Sequence, residues 1–170
     1  MMIASFPVKA LATTALLFSV SAWGDSETHG HMRHDPERTA QETAFGRTGD
    51  PKRVARTVRV AMSDNMRFTP AALSVKRGET IRFVVRNEGK IMHEMVLGTE
   101  ESLAQHAKMM RTSHHMAHDM AHDGTYMLHV APGKTGEIIW EFSRAGTVRF
   151  GCLIPGHFEA GMIGEVRVED

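Results

Sequence analysis

The chain has 170 residues, which is enough for one folded domain with flanking segments. Its 20 basic and 20 acidic side chains give a formal net charge of +0 at pH 7, so the charge balance does not indicate a polyanionic partner such as nucleic acid. Cys152 is the single cysteine, and the chain therefore cannot form an internal disulfide.

The first segment has the features of a secretory signal peptide. Lys9 precedes an apolar run at 10–20, and the small residues Ala22 and Gly24 follow it. This run is shorter than the roughly 20 residues that a membrane-spanning helix needs. We therefore expect residues 1–24 to be a signal peptide cleaved after about Gly24, which predicts a periplasmic protein with no membrane anchor after cleavage. An uncleaved anchor is the alternative.

Residues 25–53 are predicted to form a flexible leader. They are rich in charged residues, Gly, Thr and His and poor in aliphatic side chains. Such a segment cannot bury enough apolar surface to offset the entropy lost on ordering. The leader also carries a small group of side chains that can bind metal ions: His29, His31, Met32 and His34.

From about Val54 the apolar residues recur with a period of two, which is typical of β-strands. The alternation predicts strands around Val58, Leu73 and Ile81 and over 93–97, 135–142, 147–152 and 163–168. Gly, Pro, Asn and Asp mark the turns between them, and Arg77-Gly78-Glu79 is predicted to be a hairpin turn. Many short strands separated by such turns predict one all-β sandwich domain over residues 54–170.

The segment from Thr99 to about Gly124 interrupts the strand pattern. It contains many helix-forming residues, Thr99 is a suitable N-cap, and Glu100 and Glu101 suit the positive end of a helix dipole. Gly124 is a suitable residue to end a helix. We therefore predict a partly helical insertion between two strands.

Methionine and histidine are frequent in this insertion. It contains a tandem repeat, Met116-Ala117-His118-Asp119 followed by Met120-Ala121-His122-Asp123. Methionine on a helix usually fills a core, and His/Asp runs are often solvated, but few aliphatic residues accompany these methionines. The candidate metal-binding side chains of the insertion are Met109, Met110, His114, His115, Met116, His118, Met120 and His122.

A second motif, near the C-terminus, places a cysteine, a histidine and a methionine five residues apart. In Cys152-Leu153-Ile154-Pro155-Gly156-His157-Phe158-Glu159-Ala160-Gly161-Met162, the proline and the two glycines indicate a loop. A thiolate, an imidazole and a weak thioether are three of the four ligands of a mononuclear blue-copper site. The fourth would be a histidine from another strand, and His93 is the candidate. Zinc is the nearest chemical alternative, but it rarely takes a thioether ligand.

These residues, together with Val130-Ala131-Pro132-Gly133-Lys134-Thr135-Gly136-Glu137, resemble the cupredoxin family, in particular the periplasmic, plastocyanin-like cupredoxins of bacterial copper handling. The resemblance covers roughly residues 54–170. It implies a Greek-key β-sandwich that binds one type 1 copper through His93, Cys152, His157 and Met162. Many electron-transfer members have Asn directly after the first histidine ligand, where its hydrogen bonds brace the ligand loop. This chain has Glu94 at that position.

Three functional hypotheses follow from this pattern. The first is a periplasmic copper-tolerance protein that redox-cycles one type 1 copper and captures additional Cu(I) or Cu(II) ions with its Met/His-rich segments. Its partners would be copper ions and a periplasmic redox or copper-transfer protein, and we expect a monomer. The second is a soluble electron carrier that donates to a respiratory or copper enzyme. Such a carrier has no need of the additional soft ligands.

The third hypothesis is an enzyme, such as a copper oxidase or a nitrite reductase. Those enzymes resemble assemblies of several cupredoxin domains with further histidine-only copper sites, whereas this chain has one such domain. Its single His-x-His pair, His29-Gly30-His31, lies in the predicted leader. Cu(I) oxidation is therefore the one enzymatic activity that we retain as a hypothesis.

Overall fold

Strands dominate the part of the chain that the structure, a computed structural model, describes: residues 42–112 and 124–170. The predicted signal peptide, the leader up to residue 41 and residues 113–123 of the insertion lie outside these ranges. No helix within them is long and apolar enough to cross a membrane. The strands are β1 (Glu42–Thr43), β2 (Gly46–Thr48), β3 (Arg56–Ser63), β4 (Arg67–Thr69), β5 (Ala72–Lys76), β6 (Thr80–Asn87), β7 (His93–Gly98), β8 (Met127–Val130), β9 (Thr135–Glu141), β10 (Gly146–Gly151) and β11 (Ile163–Glu169). A 3-10 helix spans Pro51–Arg53, and one α-helix, α1, spans Glu100–Thr112.

The strands form two sheets. One sheet has the order β1-β2-β9-β6-β3-β4, and the other has the order β5-β11-β10-β7-β8. Neighbouring strands are antiparallel except for the pairs β3–β6 and β5–β11, which are parallel. The larger hydrophobic core cluster of the described residues contains side chains from both sheets. The sequence prediction of an all-β sandwich with one partly helical insertion is therefore confirmed.

The core follows from the period-two alternation of the strands. In β6, Ile81, Phe83 and Val85 are fully buried, while Arg82 and Val84 between them retain partial exposure. Trp140 in β9 and Phe150 in β10 are likewise fully buried and meet these residues in the same core cluster. Alternation therefore selects one face of each sheet for the interior.

Strand β7 differs because it is buried along its whole length. Met95 and Leu97 point into the core between the sheets, whereas Val96 packs against Leu103 of α1. The helix begins as predicted, since the Thr99 hydroxyl accepts a hydrogen bond from the backbone N–H of Ser102 at 3.1 Å. The helix thus covers the outer face of the strand that carries His93.

The segment directly before Val54 differs from the prediction. Residues 42–53 were assigned to a flexible leader, but they form β1, β2 and the 3-10 helix, and β2 pairs with β9. Phe45 retains only 8% exposure and stacks on Trp140 with ring centroids 5.4 Å apart. This part of the leader prediction is wrong because one aromatic residue anchors a segment that is otherwise polar.

The turn at Arg77-Gly78-Glu79 is present, but it does not form a hairpin. It connects β5 to β6, and these two strands lie in different sheets. Gly78 has a φ of 83°, which a glycine adopts without steric cost, and its N–H donates to the carbonyl of Phe142. The residues of a turn predict a change of direction, whereas strand pairing depends on partners distant in the sequence.

Candidate metal centre

Three of the four predicted copper ligands come together in the structure. One ligand atom each from His93, Cys152 and His157 lies within 4.8 Å of the other two. The antiparallel pairing of β7 with β10 explains this proximity, because it brings the start of β7 beside the end of β10. His93 is the first residue of β7, and Cys152 directly follows β10.

His93 is held by a carboxylate that the sequence analysis did not identify. Its side chain is fully buried, and its Nε2 lies 3.1 Å from Oδ1 of Asp64, in the turn between β3 and β4. The other oxygen of Asp64 accepts a hydrogen bond from the backbone N–H of Lys90 at 2.8 Å. That bond, followed by the contact with His93, lowers the pKa of the Asp64 carboxyl. Asp64 is therefore an ionised acceptor that fixes the ring of His93.

The remaining nitrogen of His93 is the one suited to a metal. Nδ1 is buried and has no hydrogen-bond partner among the described residues. A buried polar atom without a partner is costly, and a metal ion would satisfy it. Because the Asp64 carboxylate favours a proton on Nε2, the Nδ1 lone pair is left free for coordination.

Cys152 is fully buried at the centre of the cluster. Its Sγ accepts a hydrogen bond from the backbone N–H of Glu94 at 3.4 Å and lies 3.3 Å from Nδ1 of His157. Burial raises the pKa of the thiol to about 12, against an ordinary value of 9.0. The metal-free site therefore keeps this thiol protonated at neutral pH, and a bound cation would displace the proton.

His157 forms the outer edge of the site. It retains 9% exposure, and its ring centroid lies 5.0 Å from that of His93. Burial, and secondarily the neighbouring His93, lowers the pKa of His157. Both effects favour the neutral imidazole, which is the form that binds a metal.

The loop that carries these ligands closes on itself. The N–H of Met162 donates to the carbonyl of His157 at 3.0 Å, and the N–H of Cys152 donates to the carbonyl of Met162 at 3.1 Å. Gly156 and Gly161 have φ values of 88° and 89°, so the glycines that predicted a loop stand at its left-handed positions. Met162 is fully buried, and its backbone is fixed beside two of the ligands. A coordinating role for its sulfur stays a prediction.

Glu94 supports this loop from β7. Its carboxylate Oε1 accepts a hydrogen bond from the backbone N–H of Leu153 at 2.6 Å, and its own N–H reaches the sulfur of Cys152. The acidic residue thus contacts the ligand loop at the position where many cupredoxins have Asn. The sequence analysis had left open how the loop is braced.

Helix α1 also packs on the loop. Leu103 and Ala107 form a small buried cluster with Leu153 and Val96. Further along, the guanidinium of Arg111 pairs with the carboxylate of Glu159 in the loop. The insertion is therefore attached to the candidate metal centre by apolar contacts and an ion pair.

The additional candidate ligands are only partly described. Met109 and Met110 lie in α1, where Met109 is 58% exposed and Met110 is half-buried. His106 stands three and four residues before them, so the three share one side of the helix. The other candidates lie outside the described residues: His114, His115, Met116, His118, Met120, His122, His29, His31, Met32 and His34.

The donor set of the buried cluster fits copper. Two imidazole nitrogens and one thiolate sulfur suit Cu(I) and Cu(II), and a nearby thioether is typical of blue-copper sites. Structural zinc sites more often use several thiolates, and this chain has one cysteine. The orphaned Nδ1 of His93 is a further sign that the cluster is built for a metal.

Comparisons with known proteins agree with this chemistry. The family described as "Copper binding proteins, plastocyanin/azurin family" matches residues 55–169. The chain is similar to the "Copper-resistant cuproprotein CopI" of Rubrivivax gelatinosus, with 49% identity over 160 residues and 94% of each chain covered. It is also similar to the proteins of the same name from Pseudomonas aeruginosa, at 34% identity with 94% of each chain covered, and Vibrio cholerae, at 32% identity with 94% of this chain and 98% of the other covered.

Solved structures show the same fold. Auracyanin B aligns with a TM-score of 0.59 and 23% identity, covering 74% of this chain and 97% of that chain. Reduced auracyanin from Roseiflexus castenholzii aligns with a TM-score of 0.58 and 21% identity, covering 69% of this chain and 99% of that chain.

Proposed function

Because the chain belongs to the plastocyanin/azurin family of copper-binding proteins, we propose that it is an exported type 1 copper protein that serves copper tolerance. The observation that carries this proposal is the buried cluster of His93, Cys152 and His157, in which Nδ1 of His93 lacks any other partner among the described residues. The copper-resistant relatives, similar over 94% of this chain, support the physiological role.

In this proposal His93, Cys152 and His157 are the strong ligands and Met162 is the weak axial one. Copper supplies one-electron exchange between Cu(I) and Cu(II). The chain holds the ligands in place during that exchange. β7 fixes His93 through Asp64, and the end of β10 fixes Cys152. The loop between β10 and β11 fixes the other two, so little rearrangement accompanies the change of charge.

The Met/His-rich segments are proposed to capture additional copper. Thioethers bind Cu(I), and imidazoles bind both oxidation states. Met109 and Met110 stand on a helix that packs against the ligand loop, so ions captured there would be held near the type 1 site. A simple electron carrier does not require such ligands.

Export is part of the proposal and rests on the signal-peptide features of residues 1–24. In an oxidising compartment an unpaired cysteine is exposed to oxidation. Cys152 is fully buried, and a bond to copper would both use the thiolate and protect it.

A soluble electron carrier is the second candidate function. The position of His157 supports it, because an imidazole ligand at 9% exposure places the metal close to the surface. A partner protein accepting electrons at a useful rate, together with binding of only one copper per chain, would favour this function over copper capture.

The first experiment is a copper titration of residues 25–170 with visible absorption and metal analysis, beside Cys152→Ala. We expect an intense thiolate-to-copper band that Cys152→Ala abolishes, and more than one copper per chain. The same band with one copper would remove the capture function and leave the electron carrier. Absence of the band would overturn the type 1 assignment.

A second experiment tests the capture segment alone. Deleting residues 106–123 would test capture, but it would also remove Ala107 and Arg111, which attach α1 to the rest of the fold. Substituting the methionines by Leu and the histidines by Gln over 109–122 preserves those contacts. We expect a lower copper stoichiometry with an unchanged visible band. An unchanged stoichiometry would contradict capture by this segment.

A further inference from the structure

The carboxylate of Glu94 is one of the most deeply buried charged groups of the described residues. Glu94 retains 1% exposure, and Oε1 accepts the 2.6 Å hydrogen bond from Leu153. Burying a carboxylate without a partner is unfavourable. The thiol of Cys152, which the backbone N–H of Glu94 contacts, becomes a second negative group when it binds a metal. The other oxygen, Oε2, is buried and accepts no hydrogen bond from the described residues.

The side chain that faces this oxygen at ion-pair distance comes from β8. Nε2 of His129 lies 2.7 Å from Oε2 of Glu94, and the side chain of His129 is 26% exposed. The register explains the contact, because Glu94 and His129 are directly paired residues of the antiparallel strands β7 and β8. Side chains of such a pair project to the same face of the sheet and touch each other.

The contact forms a continuous path from β8 to the ligand loop. His129 holds one oxygen of Glu94, and the other oxygen holds the N–H of Leu153, directly after Cys152. The backbone N–H of Glu94 also reaches the sulfur of Cys152. An imidazole outside the ligand set can therefore influence the orientation of the loop that carries three of the proposed ligands.

We propose that His129 is a positioning residue that holds Glu94 against Leu153 and so fixes the orientation of the copper-binding loop. In this role His129 supports the ligand loop and is not one of the predicted metal ligands. Its consequence for copper rests on the proposed function, whereas its effect on the loop does not.

The brace is tested first in the metal-free protein, by amide hydrogen exchange at Leu153. His129→Phe keeps a ring of similar size but removes the nitrogen that contacts the Glu94 carboxylate. We expect exchange at the Leu153 amide to become several-fold faster, while amides in the β6–β9 ladder exchange as before. His129→Gln retains an N–H donor and should restore part of the protection. His106→Phe, which changes a half-buried histidine of α1, is the matched control and should leave Leu153 unaffected.

The consequence for copper is measured as the dissociation constant of Cu(II) and the reduction potential. Outer hydrogen-bond partners of metal ligands typically contribute about 10- to 100-fold to metal affinity. We expect His129→Phe to weaken Cu(II) binding by about 10- to 100-fold. Glu94→Gln should weaken it as well. Glu141→Gln removes another buried carboxylate, paired with Arg47 at 2.6 Å, and should leave both quantities unchanged.

A double-mutant cycle separates a shared brace from two independent effects. If His129 acts through Glu94, the effect of His129→Phe on the Leu153 amide becomes smaller once Glu94→Gln is present. Additive effects, or Leu153 exchange that is unchanged in His129→Phe, would overturn the proposal. If the parent protein shows the copper band but His129→Phe leaves Leu153 exchange unchanged, the proposed role of His129 is rejected and the proposed copper function stands. A clear response at Leu153 without a visible copper band would keep the brace and reject the proposed function.

Discussion

Asp64 and His93 form a carboxylate–imidazole pair in which Oδ1 lies 3.1 Å from Nε2, although 29 positions separate the two residues in the chain. Because Nε2 faces Asp64, Nδ1 is the nitrogen of His93 that remains for a metal shared with Cys152 and His157. Carboxylates in this relation to a metal-bound histidine fix the ring and increase its basicity. Asp64 is thus the part of the site that prepares His93 for a metal.

Asp64→Asn should weaken copper binding by about 10- to 100-fold, because the neutral amide is a poorer acceptor for the Nε2 proton. A less basic His93 also favours Cu(II) less, so the reduction potential should rise. Competition titration and voltammetry measure the two effects. Asp50→Asn is the matched control, since Asp50 caps the 3-10 helix away from the site. An unchanged affinity in Asp64→Asn would show that the pair is not part of the metal centre.

Met162→Leu tests the axial ligand. Leucine has a similar volume to methionine, and the fully buried side chain should be replaced with little loss of stability. Loss of the thioether removes an electron donor that helps to stabilise Cu(II), so we expect copper to remain bound with a higher reduction potential. Met62→Leu changes another fully buried methionine in β3 and should leave the potential unchanged. Equal potentials for both variants and the parent would exclude coordination by Met162.

The buried thiol of Cys152 predicts how the stability of the metal-free protein depends on pH. Its pKa is raised to about 12 in the folded chain, against 9.0 ordinarily. The contribution of this thiol to the free energy of unfolding is therefore fully present below pH 9. It is lost as the pH rises towards 12, because in that window the thiol ionises readily only in the unfolded chain. Cys152→Ala lacks this loss. Urea unfolding of both proteins between pH 8 and about 11 measures the difference, and parallel pH profiles would contradict the prediction.

Leu103→Ala tests the attachment of α1 to the ligand loop. Leu103 retains 1% exposure and packs with Leu153 and Val96. Truncating such a side chain should lower the free energy of unfolding by about 2–5 kcal/mol. The loop beneath it should also release copper faster. Gln105→Ala, on the exposed side of the same helix, should change the stability by less than about 0.5 kcal/mol.

Much of the fold was predictable because its signal is local. Alternation of apolar side chains identified the strands around Phe83, Trp140 and Phe150, and helix-forming residues with an N-cap at Thr99 identified the helix. Strand pairing was not predictable in the same way. The parallel pairs β3–β6 and β5–β11 and the anchoring of Phe45 on Trp140 depend on contacts between distant segments.

The sequence by itself determined which chemistry the site can perform. A cysteine, a histidine and a methionine at fixed spacing on one glycine-containing loop specify the donor atoms, because ligand type depends on residue identity alone. Only the tertiary structure decided what holds those donors in place. Asp64 reaches His93 and Glu94 reaches Leu153 across 29 and 59 positions, and His129 meets Glu94 through strand register. Such partners are chosen by the folding of the two sheets, because a hydrogen bond requires proximity in space and leaves no periodic pattern in the chain.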